Sequence, residues 1–228
     1  MIREFKGDEK ARIAADWAGA FPSLGVGPAA AGSPMLVRRA GPVLVGICLE
    51  RRSDTRSYRP TAFVHFLGTA QRSIGLTGAT VPQQPNGAEM TVRVGLHERE
   101  FGAAVARLRA AFPLSLDGDL KVTAVVQGCL ALAQREAMLW EPRMAIGLLE
   151  LVVLVPAMVG NGDLAQIGLV EANRAIRAWG PDATGVLGPM MRELEVRARD
   201  PDALRQVVDA EVRRHRLSKV PTEDLQTG

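Results

Sequence analysis

Met144–Val159 reads Met-Ala-Ile-Gly-Leu-Leu-Glu-Leu-Val-Val-Leu-Val-Pro-Ala-Met-Val and carries one charge, Glu150. The run falls short of the ~20 apolar residues that a membrane span needs, and a carboxylate interrupts it. A surface helix shows a polar face, and this run shows almost none, so it predicts a helix buried on all sides. Such a helix can fold only if other elements wrap it. Pro142 suits its first turn. Pro156 predicts a bend or a thinned last turn. Glu150 must be paired, protonated or placed at a seam open to water. An arginine partner is the expected resolution, and a lone catalytic acid is the sharper alternative.

The elements available for wrapping follow from periodicity. Apolar side chains at helical spacing predict a short helix over Asp8–Ala20, stopped by Pro22. Helices are also predicted over Glu98–Phe112 and Asp119–Met138, the second capped by Asp117 or Asp119. After the central run, helices start near residues 163, 182 and 200 with very short turns between them. That spacing predicts consecutive antiparallel helices in a bundle. It would also suit a stack of helical repeats, but the repeat signatures are missing. The segment from Ser218 onward is polar and expected to fray.

Between Met35 and Glu98 the period changes to that of strands. Met35–Arg39 and Val43–Glu50 flank Ala40-Gly41-Pro42 and predict a hairpin. Arg51–Arg59 reads as a polar loop, Thr61–Leu67 and Ser73–Thr77 as strands, and Thr80–Glu89 as a loop. Thr91–His97 alternates most cleanly, with Val92, Val94 and Leu96 on one side. The Gly/Pro/Ala-rich stretch Ser23–Pro34 has no phosphate-loop spacing and reads as a connector.

The expected fold class is therefore α+β. An N-terminal helix and a roughly five-stranded antiparallel sheet precede a C-terminal helical bundle. The expected division is 1–112 for the sheet region, 113–217 for the helical region and 218–228 for a polar tail, with Glu98–Phe112 bridging the two regions.

The residue types that carry chemistry are scarce. No cysteine, histidine or carboxylate spacing implies a metal, and no motif implies a cofactor. His65 lies mid-strand and reads as a satisfied core group. A Cys48–His65 pair on neighbouring strands would make a thiolate nucleophile, provided the register brought them together. His97 reads as a solvated strand end, and His215 as part of a basic helix end. Both Cys48 and Cys129 read as buried thiols. With no apolar signal core at the N-terminus, a cytoplasmic setting is expected.

Charge is uneven. Four of the 28 basic residues are lysine and the rest arginine, which reads mainly as GC-rich bacterial coding. Seven arginines (Arg38, Arg39, Arg51, Arg52, Arg56, Arg59 and Arg72) meet only Glu50 and Asp54 between Met35 and Arg72. Arg38 through Arg59 are the candidate partner-binding residues, while Cys48, His65 and Glu150 are the candidate buried polar groups. The expected function is a non-catalytic partner-binding or assembly module, with a protein partner or a second copy as occupant. The alternatives are a small enzyme or ligand binder with a pocket between sheet and helices, and a nucleic-acid binder using the arginines. Tyr58 is the only aromatic among those arginines, which weakens the last.

Overall fold

The structure is a computed structural model and describes residues 7–28, 33–52, 56–139 and 141–227. Asp54 and part of the expected Ser23–Pro34 and Arg51–Arg59 loops lie outside the described residues. The chain is α+β. Helix α1 (Gly7–Ala20) leads into strands β1 (Gly25–Val26), β2 (Met35–Ala40), β3 (Val43–Arg51), β4 (Ser57–Phe66), β5 (Thr77–Thr80) and β6 (Val92–Arg93). Helices α2 (His97–Ala111), α3 (Val122–Leu139), α4 (Ile146–Met158), α5 (Gly162–Ala178), α6 (Pro181–Ala198) and α7 (Pro201–Arg214) follow, then a last strand β7 (Thr222–Glu223).

Three long antiparallel strands, β2, β3 and β4, form the middle of the sheet. Their register pairs Cys48 with Met35 and Thr61, and Leu44 with Arg39 and His65. Side chains alternate across a sheet, so Cys48, Leu44, Thr61, Phe63 and His65 share one face. Tyr58, Ala62, Val64, Val45 and Ile47 share the other. Both faces are buried, because α1 and α2 cover the Tyr58 face while α3 and α4 lie on the His65 side. That is why Thr61–Leu67 is apolar in both phases. Each outer edge of the long strands is covered by short pieces: β1 and β7 on β2, β5 and β6 on β4. No long unpaired edge is left for aggregation among these strands.

Helix α4 is buried from Leu148 to Met158 without a break. It packs against α3, α5, α6, α7 and strands β4 and β5. The wrapping that the apolar run demanded is thus supplied from every side. Pro156 removes the donor that would have met the Val152 carbonyl one turn back. Gly168 of α5 lies over that carbonyl, and a Cβ there would fall 2.5 Å from the oxygen. The proline leaves the Val152 carbonyl without its intrahelical donor, and the glycine, having no Cβ, lets the α5 backbone come close to it.

The roughly five-stranded antiparallel sheet is present as the path β1-β2-β3-β4-β5, and among the described residues two short strands, β6 and β7, add to it. Several expectations are corrected. Ser73–Leu76 is not a strand, and the pairing there belongs to Thr77–Thr80. β4 starts at Ser57, with Tyr58 and Pro60 buried, so the end of the expected polar loop is sheet. In Thr91–His97 only Val92 and Arg93 pair. Val94–Leu96 forms a 3-10 turn and His97 opens α2. The reason is register: β6 runs antiparallel to β4, so from Val94 onward it passes the start of β4 at Ser57, and after the Val94 N–H meets the Arg56 carbonyl at 2.8 Å the chain turns into helix. Helix α2 packs on α1, β4 and β6 and does not bridge; α3 and α4 join the helices to the sheet.

The segment after Ser218 is ordered rather than frayed. Thr222 and Glu223 pair in parallel with Arg39 and Ala40, and Val220 and Leu225 are buried. The Gln226 carbonyl accepts the Val122 N–H at 2.8 Å. So α3 is capped by the C-terminal strand and not by Asp117 or Asp119.

Candidate functional site

A cleft of about 640 Å³ lies between the sheet and the helices. Its floor is the His65-side face of the sheet, through Glu50, Arg59 and Thr61. Gln71, from the β4–β5 connection, and Thr77 of β5 form one wall. Glu136 of α3 and Met144, just before α4, form the other. The volume lies in the range of small-molecule sites, which run about 300–1,000 Å³.

Charge in the cleft is unevenly matched. Arg59 donates Nε to Glu50 Oε2 at 3.0 Å and Nη1 to Glu89 Oε2 at 2.6 Å. Thr61 Oγ1 donates to the same Glu50 oxygen at 2.5 Å. Partial burial works against the Arg59 charge, yet the two carboxylates outweigh it and hold its pKa above the ordinary value. Glu136 is placed differently. Its side chain is 12% exposed, and its nearest cation, Arg135 Nη2, is 3.6 Å away. Arg135 spends its donors on Thr80 Oγ1 (2.9 Å) and the Ala79 carbonyl (2.9 Å). No side-chain hydrogen bond reaches the Glu136 carboxylate among the described residues. The lining therefore offers three carboxylates, Glu50, Glu89 and Glu136, to one guanidinium.

Behind the Gln71 wall runs a buried polar seam. It fixes the β4–β5 connection from several directions. The partner of Glu150 is Arg197 of α6, Nη1 to Oε1 at 3.0 Å. Arg197 Nη2 also donates to the Gly68 carbonyl at 2.9 Å, and Thr69 Oγ1 donates to Glu150 Oε2 at 3.1 Å. Glu211 of α7 is fully buried and accepts from the Gln71 N–H at 3.2 Å. Glu211 Oε2 lies 3.1 Å from His215 Nε2, and Arg214 Nη1 lies 2.9 Å from Glu211 Oε1. His65 Nδ1 accepts from the Gly75 N–H at 3.2 Å, so a neutral ring carries its proton on Nε2. That Nε2 is buried without a hydrogen-bond partner.

Burial, and then the neighbouring His215, pushes the His65 pKa down to about 4, against the attraction of Glu211. The unfolded ring takes up its proton near pH 6.5, whereas the folded ring stays neutral until about pH 4. Stability is therefore fully present above pH 6.5 and is lost as pH falls toward 4. Denaturant titrations at pH 7 and pH 5 should show the wild type losing about 2 kcal/mol more than His65→Gln over that interval. Parallel losses in the two proteins would remove His65 as the cause.

Cys48 and His65 do share a sheet face. They stand four cross-strand pairs apart, since Cys48 faces Thr61 and His65 faces Leu44. Four residues of strand correspond to about 13 Å, so they form no nucleophilic pair. Burial, reinforced by Glu50 and opposed by Arg59, raises the Cys48 thiol to about 12, which keeps it protonated.

The arginines do not share one surface. Arg38 is buried, donating to Glu223 Oε1 at 2.5 Å, to the Ser115 carbonyl at 2.8 Å and to the Gly118 carbonyl. Its side is the opposite sheet face to that of Arg39 and Arg59. Arg39 bonds the Gly41 carbonyl, Arg56 bonds Glu9, and Arg59 belongs to the cleft. Arg51 and Arg52 are exposed, as is Arg72.

Sequence reading missed a second polar chain on the far side of the sheet. Trp17 Nε1 donates to Tyr58 OH at 2.9 Å, Tyr58 OH meets His97 Nδ1 at 2.8 Å, and His97 Nε2 meets Asp16 Oδ2 at 2.9 Å. Trp17 can only donate, so the tyrosine proton points to Nδ1 and His97 gives its Nε2 proton to Asp16. His97 is 2% exposed and is not a solvated end. The one available signal was a lone Tyr and a lone His near an apolar helix. This chain of bonds ties α1 and the start of α2 to the sheet.

Among the described residues, no group of three or more His, Cys, Asp or Glu is placed to hold a metal ion, and no helix is long and apolar enough to cross a membrane. No protein-family model, curated protein or solved structure matches the chain.

Proposed function

We propose that this chain is a binding module whose cleft takes a small organic cation, an ammonium or guanidinium head on an aliphatic body. The observation that supports it most is Glu136, a cleft carboxylate 12% exposed that has only the 3.6 Å contact with Arg135 and no hydrogen bond among the described residues. A cationic head would supply the charge-assisted bonds that it lacks. Leu76, Val81 and Met144 would line the aliphatic part. Glu50 is already saturated by Arg59 and Thr61, which favours holding a ligand over turning one over. The setting we propose is cytoplasmic, where two buried free thiols are ordinary.

Calorimetric titration with 1,4-diaminobutane, with glutarate as the anionic counterpart, tests this reading. The diamine should bind saturably and raise the melting temperature. Glu136→Gln should weaken it about tenfold, equivalent to about 1.4 kcal/mol. Binding of glutarate in place of the diamine, or of neither, would defeat the proposal.

A further inference from the structure

Helices α5 and α6 form an antiparallel hairpin, turned over Trp179 and Gly180. A groove of about 400 Å³ runs between their outer faces. It shares no lining residue with the cleft. Its floor is apolar, from Leu169, Val170 and Met191. Val170 is 46% exposed, and Ile167, on the same side of α5, is 54% exposed. These two side chains leave apolar surface in water at and beside the groove.

Two further observations say what kind of occupant fits. The first is charge. Arg177, Arg192 and Glu195 line the groove, and Glu195 is held by Arg199 at 2.6 Å. Arg174 beside it is likewise paired, with Glu171. Arg177 and Arg192 have no carboxylate partner among the described residues. Among the described residues the groove thus presents two exposed guanidinium groups without a carboxylate partner beside an apolar floor. The second is Gly188, at the α6 wall. A Cβ there would meet nothing within 4 Å, so no internal contact requires glycine. Glycine in mid-helix costs about 1 kcal/mol against alanine. The missing side chain keeps the groove open to close approach by another backbone.

We propose that the α5–α6 groove docks an amphipathic helix of a protein partner, with apolar residues at helical spacing flanked by Asp or Glu. Its apolar stripe sits on Leu169, Val170 and Met191, and its carboxylates meet Arg177 and Arg192. Helix-in-groove recognition of this kind is read as anchors at i, i+3, i+4 and i+7. An acidic stripe fits here because guanidinium groups bind carboxylates in bidentate geometry.

The probe is an 18-residue helical peptide with leucine at the anchor positions and glutamate on both flanks, labelled for fluorescence anisotropy. The comparison peptide carries lysine in place of glutamate. The acidic peptide should bind saturably and the lysine peptide at least tenfold more weakly. Arg177→Glu with Arg192→Glu should reverse that preference. Gly188→Leu should abolish binding while leaving the melting temperature unchanged or raised, which separates a blocked groove from a damaged fold. Equal binding of the two peptides would overturn the proposal. So would unchanged binding by the charge-reversed protein. A concentration-dependent doubling of mass by light scattering, removed by Val170→Asp, would give the groove to a second copy of the chain and would overturn it as well.

Discussion

Arg38→Met should cost about 3–5 kcal/mol and lower the melting temperature by about 10 °C. Arg38 is 1% exposed and holds three separate pieces of chain. Its guanidinium bonds Glu223 of β7 and the carbonyls of Ser115 and Gly118 in the α2–α3 connection. Methionine fills most of the volume but leaves two carbonyls and a carboxylate without their donor. The loss should also be local. Arg39 N–H bonds the Pro221 carbonyl, Gly41 N–H bonds Glu223, and Val122 N–H bonds Gln226. In hydrogen exchange these three amides should lose protection first. A chain truncated after Lys219 should show the same three amides exposed. If Arg38→Met keeps their protection and melts within a few degrees of wild type, the arginine is not what holds the C-terminal strand.

The second large effect is expected at Gly168→Ala. The added Cβ would stand 2.5 Å from the Val152 carbonyl oxygen and 3.2 Å from its carbon. Both belong to backbone, which cannot swing aside as a side-chain tip can. Helices α4 and α5 must then part, and α4 is the element on which the whole helical region packs. A loss of about 3 kcal/mol is expected, at the upper end for overpacking by one methyl group. Gly185→Ala on α6 is the control, because its Cβ meets nothing within 4 Å. There alanine should stabilise by up to about 1 kcal/mol through helix propensity alone. Equal urea midpoints for the two variants would show that α4 and α5 accommodate the methyl group without cost.

Both predictions concern positions whose meaning cannot be read from the chain alone. In the sequence Arg38 is one of seven arginines between Met35 and Arg72, and nothing sets Gly168 apart from the other glycines. The cleft has the same character. Glu50 and Arg59 are legible as charges near a turn. Nothing in their spacing says that they share a sheet face with Thr61, or that Glu136 stands across from them. Strand register decides the first and packing of α3 decides the second. Register also separates Cys48 from His65 while leaving them on one face, since a slip of one residue would have moved either to the other side.

What the sequence determined by itself is what depends on local period and composition. The apolar run around Glu150 required a buried helix, and α4 is one. The hairpin at Gly41-Pro42 and helices α5, α6 and α7 follow from spacing and from Asn161, Pro181 and Pro201 at their starts. The α+β order follows from the change of period near Glu98. What only the tertiary structure decided is whatever depends on which segments meet at the same edge or the same charge. The alternation in Thr91–His97 yields two paired residues because the antiparallel register carries Val94 past the start of β4 at Ser57. The polar C-terminal segment becomes a strand because β2 has an open edge there and Arg38 waits beneath it. Glu150 was bound to find a cation, but the choice of Arg197 came from the packing of α6 across α4. Local pattern fixes which groups must be satisfied, and long-range geometry fixes which partner satisfies them.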